Sequence, residues 1–197
     1  MRARSILKAI FPKTIRALIV RARAALELRR FERQWARARR RVTERTLSAL
    51  ARVLIVPSDP LTLVGALGDD AMIGATIEAL GANIGIEIVT QGDAASRLAC
   101  ARGLVPVDIW ANDDFPSALA ALLNERLYDA VVLVGADIMD GYYSPMVSAK
   151  MIAAADLAAQ AGARATVLGF SFNVAPAAGL ARMFNRADPR VQWKLRD

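Results

Sequence analysis

Adjacent acids and adjacent tyrosines, set in otherwise apolar surroundings, are the residues of this chain best suited to chemistry. Asp69 and Asp70 follow Gly65 and Gly68 in "GALGDDA". Asp137, Asp140, Tyr142, Tyr143 and Ser144 crowd into "GADIMDGYYSP", Ser171 and Asn173 stand in "GFSFN", and a further acidic pair closes "WANDD". Histidine is absent from all 197 residues, which removes Ser-His-Asp triads, Cys-His pairs and the usual zinc sites within this chain. A serine without an adjacent base is a weak nucleophile, so Ser171 reads as a hydrogen-bonding group. The available chemistry is that of carboxylates, hydroxyls, amides and backbone.

Around Asp69 the glycines permit close backbone approach, and the carboxylate can cap a helix start while facing a ligand. The stretch is not a phosphate cradle. Two glycines three apart do not make G-x-G-x-x-G, no Lys-Ser/Thr pair follows, and Asp69 with Asp70 would repel the phosphate that a helix N-terminus attracts. Near Asp140 the composition suits a sugar: apolar ring faces stack on Tyr142 and Tyr143 while Asp137 and Asp140 accept hydrogen bonds from hydroxyls. The competing reading is a plain Asp140-Gly141 turn with tyrosines covering a sheet edge. A divalent cation between the two acid groups is chemically open, because hard cations favour carboxylate oxygen. No spacing demands one, and neither a metal nor another cofactor is expected. Ser171 and Asn173 either donate to a substrate or cap the segment "APAAGLARMF".

These residues need elements to position them. Strand-like runs fall near 52–57, 84–90, 104–109, 129–135, 164–170 and 190–195, and helix-like runs near 69–81, 93–102, 115–126, 145–162 and 176–186. Strands such as "AVVLVGA" are continuously apolar, as in sheets buried on both faces. Their alternation with helices implies βαβ crossovers, and hence an α/β, doubly wound, mostly parallel Rossmann-like domain over 52–197. Pro145 suits the first turn of its helix. In such a sheet the carboxyl ends of the strands share one edge, where ligands bind, so Asp69, Asp137, Tyr143 and Asn173 are expected together there.

Charge divides the chain. Residues 1–52 carry 16 Lys and Arg against 3 acids, a balance of +13, whereas residues 53–197 carry 10 against 16, a balance of −6. The segment 1–51 is a basic arm: Ile15, Leu18, Ala22 and Ala25, then Leu28, Phe31, Trp35, Ala38 and Val42, step by three and four. This spacing predicts a long amphipathic helix, offset near Leu26 and broken at Pro12. Two destinations are open to it, an anionic membrane surface or the chain's own globule or a partner protein; nucleic acid is not expected, since a basic patch alone carries no base-reading chemistry. Lys150, Asp156 and Arg164 interrupt the longest Ala-rich stretch, so no run approaches the roughly 18–20 apolar residues of a membrane span. The amino terminus lacks the compact apolar centre of a secretory signal. The lone Cys100 excludes an internal disulfide framework and fits a reducing compartment. The expected location is cytoplasmic, with the inner face of the membrane as one of the two destinations open to the arm.

The set "GALGDDAMI", "DAVVLVGADIMDGYYSP", "GFSFN" and "RVQWKLRD" resembles the amino-terminal half of the polysaccharide pyruvyltransferase family, over roughly residues 52–197. It departs at Gly135-Ala136-Asp137, where many members have a run of glycines. The resemblance implies a two-domain architecture with paired Rossmann-like halves, and transfer of pyruvate from phosphoenolpyruvate to a sugar of a cell-surface polysaccharide as a ketal. It also implies that a carboxy-terminal half holds phosphoenolpyruvate. This chain ends before that half would begin, so the expectation is an acceptor-side domain that does not catalyse transfer alone. On the resemblance, Asp69 activates the acceptor hydroxyl, and Asp137, Asp140, Tyr142 and Tyr143 position the sugar, with Gly65, Gly68, Asp70, Ser171 and Asn173 beside them. A non-catalytic Rossmann-like module recruited by its basic helix is the alternative, and a fragment of a nucleotide-dependent glycosyltransferase a third.

Overall fold

The computed structural model describes residues 13–46, 51–63, 67–135, 138–171, 176–177 and 179–195. Gly65, Asp137 and Asn173 lie outside the described residues. The elements run α1 (Lys13–Arg39), β1 (Arg52–Val56), α2 (Leu67–Leu80), β2 (Gly85–Thr90), α3 (Gly92–Ala101), β3 (Val105–Asp108) and α4 (Phe115–Arg126). β4 (Ala130–Val134), α5 (Pro145–Gln160), β5 (Arg164–Phe170), α6 (Leu180–Arg186) and β6 (Gln192–Leu195) complete the chain. The strands form one sheet in the order β3-β2-β1-β4-β5-β6, and every pair is parallel. The expected α/β doubly wound fold is therefore observed, preceded by a long helix.

Handedness distributes the helices. Right-handed crossovers from β1 through β2 to β3 put α2 and α3 on one face, and the return through α4, α5 and α6 covers the other. Successive strand residues point to opposite faces, so Val53 and Ile55 join Ile73, Ala95 and Ala99 in one core while Leu54 and Val56 join α4 and α5 in the other. This is why the strands are apolar at consecutive positions. On the α2 side, β4 and β5 meet only the flank of that helix. The result is an apolar groove lined by Met72, Ala75, Ala79, Val132 and Leu168.

Residues of α1 from Leu28 onward complete the opposite face as an outer layer. Leu28, Phe31, Trp35 and Ala38 are buried and belong to the same core as α4 and α5. Asp156, fully buried on α5, holds this layer in place. Its carboxylate accepts from Trp35 Nε1 at 2.7 Å and from the Asp188 backbone N–H at 2.8 Å, and it pairs with Arg39 Nε at 3.3 Å. Burial pushes the Asp156 carboxyl above its ordinary range, against the opposing pull of Arg39 and its donors. The basic arm thus packs on its own globule from Leu28 to Ala38.

The last helix starts four residues later than the expected 176. Gly179, at φ 96°, is its N-cap, and a Cβ there would come within 2.9 Å of Leu28 Cδ2. The position needs glycine for its backbone and for the approach of α1. With Gly179 as the cap, Ser171 is not at the helix start.

Candidate functional site at the carboxyl edge of the sheet

β1 and β4 are neighbours, paired from Val53 with Ala130 to Val56 with Leu133, yet β1 continues leftward to β2 and β4 rightward to β5. The strand order therefore reverses between them. In open α/β sheets the crevice outside the carboxyl ends at this point is where ligands sit, because the two connections leave in opposite directions. The segments that leave these two strand ends are the one after β1, leading to Asp69, and the one after β4, leading to Tyr142 and Tyr143.

The first loop is tightly tied. Asp59 accepts from the backbone N–H of Leu61 at 3.0 Å and from Thr62 Oγ1 at 2.7 Å, and the Pro60 carbonyl accepts from the Gln91 N–H at 2.7 Å. Leu63, buried at 2% exposure, has φ 57° in the left-handed region, a conformation that costs a branched aliphatic residue on the order of 1 kcal/mol or more. α2 begins at Leu67, so Asp69 stands in its first turn and not at its cap. Ser58 Oγ donates to Asp69 Oδ2 at 2.5 Å, fixing the carboxylate against the end of β1. Asp70 is committed elsewhere, accepting from Arg102 Nη1 at 2.5 Å and so tying α2 to the end of α3. Among the described residues nothing lies within 4 Å of a Cβ at Gly68, so their packing does not demand that glycine.

The second loop is built on a close approach and a turn. The Gly135 N–H donates to the Leu168 carbonyl at 2.9 Å, and a Cβ on Gly135 would lie 2.6 Å from Phe170 Cβ. Asp140 is buried and accepts from the Tyr142 backbone N–H at 2.8 Å, a local turn that Gly141 completes at φ 79°. The turn reading of Asp140-Gly141 is thus correct for the backbone. It does not cover the sheet edge with tyrosines. Tyr142 and Tyr143 are 77% and 71% exposed, edge to face with ring centroids 5.2 Å apart. Ser144 then caps α5, accepting from the Val147 N–H, with Pro145 in the first turn. Ser171 directly follows β5, on the same edge.

Two residues of this edge carry no signal in the local sequence pattern. Ser58, which orients Asp69, lies in "VPSDP" without any recognisable motif. Lys150 reads as no more than a charge interrupting an apolar helix. It is half-buried in a cavity of about 340 Å³ between α1 and the loop after β3, which Arg30, Gln34, Asn112, Asp113 and Met146 also line. Its ammonium donates to the Trp110 carbonyl at 2.5 Å and lies 4.9 Å and 5.2 Å from the Trp110 and Phe115 ring centroids. Burial pulls the Lys150 ammonium below its ordinary range, with Asp113 opposing the shift. The acidic "WANDD" junction marks this region in sequence, but its basic partners come from α1 and α5.

Among the described residues, no group of three or more His, Cys, Asp and Glu is placed to hold a metal ion, and no helix is long and apolar enough to cross a membrane. What the edge offers is an oriented carboxylate from the first turn of α2, after β1, and an exposed pair of aromatic rings from the loop after the neighbouring β4. Comparison with protein-family models, with curated proteins and with solved structures gave no match.

Proposed function

We propose that the chain is the acceptor-side domain of a pyruvyl-transferring enzyme, binding a sugar of a cell-surface polysaccharide, with phosphoenolpyruvate held by a separate carboxy-terminal domain. The observation that supports this reading is the placement of the Ser58-oriented Asp69 after β1 and of the exposed Tyr142-Tyr143 pair after the neighbouring β4, the two strands at which the sheet order reverses. Aromatic faces that project from a sheet edge suit the apolar faces of a pyranose, and hydrogen-bonding groups beside them suit its hydroxyls. Ketal formation needs protonation of the enol carbon, addition of one sugar hydroxyl to the resulting cationic carbon, departure of phosphate from that carbon, and attack by a second hydroxyl of the same sugar in its place. A carboxylate near an attacking hydroxyl accepts its proton as the bond to carbon forms, and orientation in advance lowers the barrier. In this reading Asp69 is that base, the tyrosines and Asp137 position the ring, and Asp140 shapes the loop. Asp70, paired with Arg102, supports α2.

The test is thermal unfolding of the full chain with oligosaccharides of cell-surface polysaccharides and with phosphoenolpyruvate. A ligand bound only by the folded state stabilises it by RT ln(1 + [L]/Kd), about 2.7 kcal/mol at a hundredfold excess over Kd. An acceptor should stabilise, phosphoenolpyruvate should do so little, and Tyr143→Ala with Asp137→Ala should abolish the acceptor effect in a protein that still folds. Pyruvyl transfer by the chain alone would refute the division between domains. Indifference to every acceptor would favour the non-catalytic module.

A further inference from the structure

The first turns of α1 do something the rest of the helix does not. In an α-helix each residue turns about 100°, so Leu28, Phe31, Trp35 and Ala38 form the line that enters the core. By the same geometry Ile15, Leu18, Ile19, Ala22 and Leu26 form a second line, about half a turn round from the first. Those five residues are exposed, Leu18 at 68% and Leu26 at 62%, and every residue from Leu18 to Glu27 is exposed with them. The apolar stripe therefore faces away from the domain. Continued along the helix, the same outward line becomes Arg33 and Arg37, with Arg29 and Arg30 on its flanks and Arg40 just past the helix end, all exposed.

We propose that this outward face of α1 is a contact for an anionic membrane surface. The apolar stripe spans about 17 Å and enters the boundary between headgroups and acyl chains, and the arginines, over a similar length, bind the anionic headgroups. Two features favour lipid over a protein groove. The stripe passes along one line into a series of exposed cations, which matches a continuous anionic plane. The α/β domain is packed on the opposite side of the helix, so it does not obstruct that plane. The acids nearest the face are partnered: Glu27 takes Arg23 at 2.9 Å and Glu32 takes Arg182 at 2.7 Å. Each Lys or Arg brought near an anionic leaflet strengthens binding several-fold, and the gain is screened by salt.

The experiment is flotation of the full chain with vesicles of phosphatidylcholine alone or with about one-third phosphatidylglycerol, at ionic strengths on the order of 0.1 M and above. Binding should require the anionic lipid and weaken with salt. Leu18→Asp with Leu26→Asp, and separately Arg33→Glu with Arg37→Glu, should each lower partition at least tenfold while the unfolding temperature stays unchanged, since all four side chains are exposed. Equal partition into neutral vesicles, or partition that survives both pairs, overturns the proposal. So does a dimer in sedimentation that Leu18→Asp with Leu26→Asp dissociates, because a second copy would then be the occupant.

Discussion

Replacing Trp35 by phenylalanine isolates the bond by which α1 is held. Trp35 is completely buried, and its Nε1–H donates to Asp156 Oδ2 at 2.7 Å inside the outer helical layer. Phenylalanine keeps most of the ring packing but cannot donate. Asp156 then keeps Gln160, the Asp188 N–H and Arg39, with one donor lost from a carboxylate that burial already penalises. A hydrogen bond to a charged group contributes about 1.5–3 kcal/mol, and that is the expected loss for Trp35→Phe. Trp35→Ala removes the ring as well and should cost about 3–5 kcal/mol or more. For a chain of this size each kcal/mol moves the unfolding midpoint by roughly 2–4 °C, so the phenylalanine variant should melt roughly 3–12 °C lower.

Urea unfolding followed by far-ultraviolet circular dichroism measures the loss directly. Repeating Trp35→Phe in an Asp156→Asn background distinguishes a charge-assisted bond from mere ring volume, because the cost should fall toward the 0.5–1.5 kcal/mol of a neutral bond. A phenylalanine variant within about 0.5 kcal/mol of the parent, or an undiminished cost in the Asn background, would show that α1 is not held through this bond.

Two further outcomes are expected. Gly135→Ala should destabilise by about 1–3 kcal/mol in the same urea assay, because its Cβ would be 2.6 Å from Phe170 Cβ where β4 and β5 converge, and a neutral effect would mean that the strand ends part easily. The Arg190 side chain holds the Asp188 carboxyl below its ordinary value of 3.8, so Asp188 contributes stability that is present above pH 3.8 and lost as pH falls through the lower folded value. Midpoints of Asp188→Asn and of the parent protein should therefore converge below pH 3.8, and a constant gap at all pH values would contradict the assignment.

The fold was legible because its signals are local or general. Apolar strands of consecutive buried residues and helices of three-and-four spacing are read within ten residues, and crossover handedness is common to parallel sheets. What escaped was long-range pairing. Trp35 and Asp156 are 121 positions apart, and Gln34 reaches the Asp113 carbonyl across 79. No local pattern announces either bond, and without them neither the outer helical layer nor the cavity around Lys150 can be inferred. The "DD" of Asp69 and Asp70 illustrates the same limit at short range. Identical in type and adjacent in sequence, they differ by the helix's 100° turn, which sends Asp70 to Arg102 and leaves Asp69 to Ser58.

Connectivity also explains why the candidate site is where it is. The helices on both faces are occupied in covering the sheet, and the loops at its amino edge are short connections such as the one that joins α4 to β4. At the carboxyl edge β1 and β4 release their chains in opposite directions, the arrangement that in open α/β sheets leaves a crevice between the two connections. The residues that line such a gap are free of the packing constraints that make the strands uniformly apolar. An oriented carboxylate and two exposed rings are tolerated there, whereas the same groups one strand-length lower would be buried at a cost of several kcal/mol. The outward face of α1 follows from the same economy of packing. Only the stretch of helix that overlies α4 and α5 has an apolar surface beneath it to cover, and it is there that the chain buries Leu28, Phe31, Trp35 and Ala38. Among the described residues, the apolar side chains of Ile15 and of Leu18 to Leu26 are exposed, and turning them outward directs them to a surface that the domain does not supply.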